Sequence, residues 1–280
     1  MTSQAILGSV AILGGVGLTF GTLIALANRK LRVWEDPRIE SVTEILPGAN
    51  CGACGFAGCR AFAEQLVAGQ AQPGQCTVNS KDMNQLIADY LGVDPGTQEQ
   101  RVARLACAGG NHVAHTHASY SGLDTCRAAA LVAGGGKGCV WGCLGFGDCD
   151  TVSEFNAISM DRHRLPVVDP DKCTACGDCV DICPRDLFSL HPKSHHLWIA
   201  CNNPETGETA EAECMVLCTG CGRCAVDAPE GLIAIRDSLA VIDYSRNALA
   251  SRLAIERCPT GAIVWLDDNS NILKGAEAVR

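Results

Sequence analysis

The sequence predicts an α+β protein with one N-terminal transmembrane helix, a small four-cysteine domain and two similar cysteine-rich repeats. Three observations carry this expectation. A stretch of 23 residues near the N-terminus holds no charge, 19 of the 280 residues are cysteine and fall in spaced groups, and one cysteine pattern returns 75 residues later. The expected divisions are residues 1–30 (anchor), 31–95 (four-cysteine domain), 96–200 (first repeat with a cysteine-rich lead-in) and 201–280 (second repeat). Hydrophobic residues make up 47% of the chain and support ordinary cores, although aromatics contribute only 5%. A net charge of -9 excludes nucleic acid as a partner, because phosphate binding needs a basic surface.

Residues 5–27 read AILGSVAILGGVGLTFGTLIALA. As a helix these 23 positions rise roughly 35 Å, enough to cross a hydrocarbon core of about 30 Å. A cleaved signal peptide carries its positive charge ahead of the apolar run; here Arg29, Lys30 and Arg32 follow it. The positive-inside rule then sets the N-terminus outside and everything after residue 30 in the cytoplasm, as a single-pass protein. That compartment disfavours disulfides, so metals must account for the cysteines. Gly14, Gly17 and Gly21 give the helix a small-residue face that either packs on another membrane helix or belongs to a lone glycine-rich span.

A short tether around Glu35, Asp36 and Pro37 leads to residues 47–76, PGANCGACGFAGCRAFAEQLVAGQAQPGQC, spaced C-x2-C-x4-C-x16-C at Cys51, Cys54, Cys59 and Cys76. Gly52, Gly55 and Gly58 let the backbone turn tightly around a cluster and aim amides at its sulfurs. Residues 60–68 read as a short helix with Ala61, Phe62, Gln65 and Leu66 on its packing face. Structural zinc is the competing chemistry, since both use a C-x2-C opening.

The stretch 173–184, CTACGDCVDICP, has the C-x2-C-x2-C-x3-C-P spacing of bacterial ferredoxins. In such a run three thiolates, here Cys173, Cys176 and Cys179, curl round one cubane iron–sulfur cluster, and the fourth, Cys183, reaches a neighbouring one. The run therefore requires a partner motif, which the internal repeat supplies. Cys126, Cys139, Cys143, Cys149 and Cys183 recur 75 residues on as Cys201, Cys214, Cys218, Cys224 and Cys258, with Phe146 opposite Cys221. Each repeat reads as a ferredoxin-like domain of short strands, ligand loops and short helices, with strands opening at Ala157-Ile158 and Ala262-Ile263.

In the second repeat Cys218, Cys221, Cys224 and the crossing Cys258 complete one cluster. Its neighbour would need thiolates where the chain has Ala228, Ala248, Ser251 and Ala254, as expected of a cluster lost as a unit. In the first repeat Cys143, Cys149 and Cys183 lack a ligand at Phe146, and Cys139 is taken as the replacement. The trio Cys173, Cys176 and Cys179 faces Ser153 at the crossing position, which leaves open serine ligation, a spare thiol, or an incomplete 3Fe-4S cluster. Cys107, Cys126, Cys201 and Cys214 stay unassigned: the match of 126 with 201 suggests a shared role, and buried structural thiols are the alternative. The expected total is three or four 4Fe-4S clusters.

An apolar anchor followed by PGANCGACGFAGC, then LDTCRAAALVAGGGKGCVWGCLGFGDC at 123–149 and the ferredoxin run at 173, resembles the RnfB family, the B subunits of Rnf complexes, in its extended form. The resemblance covers nearly the whole chain. It implies a membrane-bound ferredoxin:NAD oxidoreductase that couples electron flow to ion movement. Reduced ferredoxin or a similar soluble carrier would be the donor, neighbouring membrane subunits the acceptor, and the first cluster domain would lie nearest the membrane.

Other signals point nowhere. Gly134 to Gly138 encloses Lys137 but lacks the Ser or Thr of a phosphate loop. His112, His115 and His117 lie in a polar stretch and read as solvated. No GxGxxG turn marks a dinucleotide site and no substrate-conversion site is visible on this chain. The reading is a membrane-anchored, multi-cluster electron carrier of an Rnf-type complex. A stand-alone anchored carrier for another reductase and a zinc-stabilised interaction scaffold are the alternatives.

Overall fold

Helix α1 (Ser3–Leu31) opens the computed structural model, which describes residues 3–31, 34–97, 99–267 and 271–278. Its segment Val10–Leu31 has a mean hydropathy of 2.1 and is 0% buried, so it is long and apolar enough to cross a membrane. The hydroxyls of Thr19 and Thr22 donate to the carbonyls of Gly15 and Leu18 at 2.7 and 2.8 Å, so their polarity is satisfied within the helix, as a lipid environment requires. Arg29 and Lys30 sit in the last turn; Arg32 lies outside the described residues.

The four-cysteine domain is built on α2 (Pro37–Ile45), α3 (Cys59–Val67) and α4 (Lys81–Leu91). Asp36 caps α2 by accepting from the Arg38 amide, with Pro37 preset for the first turn. Ser80 caps α4 through the Met83 amide, and Gly92, in the left-handed conformation, ends it. Val42, Leu46, Phe62, Ala63, Leu66 and Ile87 form one core. The expected helix face is present, with Ala63 rather than Ala61 buried beside Phe62 and Leu66.

The first repeat contains β1 (Arg101–Leu105), α5 (Cys126–Leu131), α6 (Asp148–Thr151), β2 (Ile158–Met160), β3 (Pro166–Val168), α7 (Asp178–Ile182) and β4 (Phe188–Pro192). The second contains β5 (Leu197–Ile199), α8 (Glu208–Glu213), α9 (Arg223–Asp227), β6 (Ile233–Arg236), β7 (Leu239–Ile242), α10 (Leu253–Glu256) and β8 (Ile263–Leu266), with β9 (Ile272–Leu273) on the edge of β8. Strand pairing repeats faithfully. β1 lies antiparallel to β4 with Leu105 opposite Phe188, and β5 to β8 with Ile199 opposite Ile263. The hairpin β2–β3 matches β6–β7. Because β5 pairs with β8, it belongs to the second repeat, which therefore begins ahead of residue 201.

The strands are short, so each repeat's core mixes aliphatic side chains with cysteines. Ile158 and Phe188 pack with Cys149 and Cys179, and Leu232, Ile233 and Ile255 with Cys218 and Cys224. Where the second repeat lacks ligands, Ala254 is buried and Ala228 packs on the same core, while Ala248 is exposed. The lead-in of the first repeat runs along the second: the Met215 amide donates to Val113 O and the His115 amide to Glu213 O, both at 2.9 Å. His117 Nε2 lies 2.8 Å from Glu213 Oε1, and the His112 ring packs on His163.

Leu232 is fully buried at the centre of the second repeat. Leu232→Ala should cost about 2–5 kcal/mol of stability. Leu131→Ala, at a side chain that is 88% exposed, should stay within about 0.5 kcal/mol. Thermal unfolding of the detergent-solubilised chain measures both.

Candidate iron–sulfur centres

The first centre forms where two glycines reverse the chain. Gly52 and Gly55 take positive φ, and the Gly55 amide closes the turn on Gly52 O at 2.8 Å. The Asn50 side chain accepts from the Cys59 amide at 2.9 Å and fixes the start of α3 against this loop. Cys76 approaches from the far side, its carbonyl held by Asn84 Nδ2 from α4 at 3.3 Å. Burial pushes the Cys76 thiol up from its ordinary value, and the neighbouring Cys54 and Cys51 add to this. Cys54, Cys59 and Cys76 pack in one core, and Cys51 lies close enough to Cys76 to act on its thiol.

In the first repeat two cavities lie back to back. One, of ≈ 360 Å³, is lined by Cys173, Cys176 and Cys179 together with Ser153 and Cys149. Ser153 occupies the crossing position, and its Oγ accepts from the amides of Ala157 and Ile158 at 3.0 and 3.3 Å. The Ala103 amide of β1 points at Cys173 Sγ at 3.4 Å. Burial pushes the Cys179 thiol up to about 12, with Cys173 and Cys176 contributing next.

The second cavity, of ≈ 330 Å³, is lined by Cys143, Cys149, Cys183 and Cys126. The expected fourth member, Cys139, does not line this cavity, whereas Cys126 does. The reason is local. Asp148, next to Cys149, accepts the Cys126 and Arg127 amides at 2.8 and 3.2 Å and draws the start of α5 to the cavity. Meanwhile the Lys137 ammonium, bonded to the carbonyls of Gly109 and Cys143, steers the Cys139 loop toward Cys107. Cys126 escapes sequence reasoning because it precedes Cys143 at no motif spacing; the Thr125 cap and Asp148 are its only signals. Burial pushes Cys149 up to about 12, followed by the proximity of Cys126.

Cys218, Cys221, Cys224 and Cys258, the four residues of the expected crossing arrangement, line one cavity in the second repeat. Cys224 is pushed up to about 12, first by burial and then by Cys218, Cys258 and Cys221.

All 19 cysteines are free thiols. Among the described residues no three His, Cys, Asp or Glu side chains close around a single ion. In the two repeats the thiols line cavities in groups without converging on one point, which suits a multi-atom group rather than one zinc ion. Thiols this reluctant to ionise become thiolates when a metal replaces the proton. The donor set therefore fits iron–sulfur clusters.

The "Fe-S cluster" family model matches residues 46–78, and the "4Fe-4S binding domain" model matches residues 165–188. The chain is 38% identical to the B subunit of the Na(+)-translocating ferredoxin:NAD(+) oxidoreductase complex of Acetobacterium woodii, over 93% of its own length and 78% of that relative. The chain belongs to the RnfB family. It is also 34% identical to the B subunit of the ion-translocating oxidoreductase complex of Methanosarcina acetivorans, over 93% of this chain and 98% of the relative. To the B subunit of the proton-translocating ferredoxin:NAD(+) oxidoreductase complex of Clostridium ljungdahlii it is 37% identical, over 89% and 88%. As a member of the RnfB family carrying a 4Fe-4S binding domain, the chain has an electron-transfer role.

Asp148→Ala removes both amide acceptors at the start of α5. It should cost about 1 kcal/mol, as loss of a helix cap does, while Asp148→Asn, which keeps one acceptor oxygen, should recover part of it. Thermal unfolding of the anaerobically purified chain tests the pair.

Proposed function

We propose that this RnfB-family chain takes single electrons from a reduced ferredoxin-type donor and passes them through a line of 4Fe-4S clusters to membrane subunits of an Rnf-type complex. The adjacency of the cysteine groups carries this reading. Thr77, beside Cys76, donates its hydroxyl to Thr174 O in the Cys173 loop at 2.7 Å. Cys149 lines both cavities of the first repeat. When bound, the clusters supply one-electron redox chemistry at potentials set by ligand type, burial and hydrogen bonds to sulfur.

Each group of residues has a distinct task. Cys51, Cys54, Cys59 and Cys76 hold the cluster closest in sequence to α1. Cys126, Cys143, Cys149 and Cys183 hold a second, and Cys218, Cys221, Cys224 and Cys258 another. Cys173, Cys176 and Cys179 hold theirs with Ser153 Oγ as the fourth ligand. The two amides donated to that oxygen favour its ionised form, as they would a thiolate. The positive flank of α1, Arg29 and Lys30, supports an orientation with the N-terminus outside and the cluster domains in the cytoplasm, at the inner membrane of a bacterium.

The full chain, purified anaerobically with its membrane, should be brown, lose visible absorption when dithionite or reduced ferredoxin is added, and co-purify with multi-span subunits. A colourless protein containing zinc would overturn the reading. Ser153→Ala should lose about one iron and show the EPR signal of a 3Fe-4S cluster, whereas Ser153→Cys should retain the four irons of a cubane. Equal iron content in wild type and Ser153→Ala would refute serine ligation alone.

A further inference from the structure

Four cysteines remain outside the centres above, and the fold gathers them. Cys107, Cys139, Cys201 and Cys214 line one cavity, a four-thiol lining like that formed by Cys218, Cys221, Cys224 and Cys258. Cys139 and Cys214 are buried.

Their placement follows the repeat. Cys107 stands just after β1 and Cys201 just after β5. The preceding residues make the same bond to equivalent strands: Ala106 N to Leu187 O at 2.8 Å, and Ala200 N to Ala262 O at 2.7 Å. The equivalence extends to sulfur. The Cys143 amide donates to Cys107 Sγ at 3.4 Å, and its counterpart, the Cys218 amide, donates to Cys201 Sγ at 3.3 Å. Cys139 and Cys214 are the 75-residue counterparts of each other. Each repeat therefore contributes two thiols in matching positions, and neither could build the site alone.

Further polar groups turn toward these sulfurs. Gly109 N lies 3.4 Å from Cys107 Sγ and Asn203 Nδ2 lies 3.7 Å from Cys139 Sγ. The Lys137 ammonium lines the same cavity and offsets negative charge there. Amide donors aimed at sulfur, with a cation beside them, are what buried thiolates of a cluster need.

We propose that Cys107, Cys139, Cys201 and Cys214 bind a further 4Fe-4S cluster between the two repeats. It rests on the reading of this chain as a cubane electron carrier and supplies that reading's missing link. Held by these four thiols, a cluster would supply one-electron exchange between the Cys126/Cys143/Cys149/Cys183 group and the Cys218/Cys221/Cys224/Cys258 group, in either direction. In each direction one cluster is oxidised as its neighbour is reduced. Contact with the first centre runs through Cys143 and Cys107, and with the second through Cys218 and Cys201.

The anaerobically purified full chain should contain about 19–20 irons, against about 15–16 if these four thiols bind no cluster. Cys139→Ser/Cys214→Ser should lose about four irons and four acid-labile sulfides, keep the other EPR signals, and narrow those broadened by spin coupling to the lost centre. Cys201→Ala, which alters the site from the opposite repeat, should lose the same signal, and a fold intact by circular dichroism validates each variant. Wild-type iron at the lower value, unchanged iron and EPR in the double variant, or one zinc per chain removed by it would overturn the inference. A wild-type chain with no iron at all would instead overturn the carrier reading on which it rests.

Discussion

Buried thiols must give up their protons for this fold to have a centre. Cys143, Cys149, Cys179, Cys201 and Cys224 are each pushed up to about 12, with burial the leading cause. At neutral pH such groups stay protonated unless a metal takes the proton's place. The same side chains are part of the apolar cores: Cys149 and Cys179 lie against Ile158 and Phe188, and Cys218 and Cys224 against Leu232 and Ile233. Filling the cavities and completing the cores are therefore a single event, and metal affinity is folding free energy in such a protein. Strands of three to five residues, as β1 to β8 are, bury too little surface to form these domains by aliphatic packing alone.

The two repeats illustrate two fates of a ligand set. In the second, two of the four positions that lack ligands, Ala228 and Ala254, join Tyr244 and Ile255 in one apolar core. In the first, three thiols and a hydroxyl remain around a cavity of ≈ 360 Å³. Replacing a single ligand by serine preserves an oxygen donor held by two amides; the set Ala228, Ala248, Ser251 and Ala254 offers iron no thiol, and two of its members pack into the apolar core. Loss as a unit is thus the stable alternative, because a half-ligated cavity keeps both its void and its buried polar groups.

Much of this was legible in the sequence. The 75-residue shift maps α6 on α9, β2 on β6, α7 on α10 and β4 on β8, and the strands expected at Ala157-Ile158 and Ala262-Ile263 begin at Ile158 and Ile263. Constant spacing misleads at the opening strands. It matches Cys126 with Cys201, whereas strand pairing matches Cys107 with Cys201, because the first repeat carries a longer stretch between β1 and α6 and Cys126 lies within it. Spacing also cannot report the pull of Asp148 on Cys126 or of Lys137 on the Cys139 loop; both are contacts between residues with no fixed interval. The same blindness placed the repeat boundary after β5 instead of before it.

The junction between the repeats shows why these errors fall together. Bonds between the first repeat and the second include Met215 to Val113, His115 to Glu213, Ala108 to Ala200, Trp198 Nε1 to Leu105 O, Asn203 Nδ2 to Cys139 Sγ, and the His117 and Glu213 pair. At about 1 kcal/mol net for each, they are comparable with the cost of ordering the loops that make them. The small apolar patch of Ala114, Ala210, Val216 and Leu217 adds modestly to this. Four thiolates drawn equally from both sides would join the repeats far more firmly than those bonds, since each metal–thiolate bond must break before the repeats can part. Docking of the repeats and continuity of the electron path then depend on the same four residues, so neither could be read from one repeat considered alone.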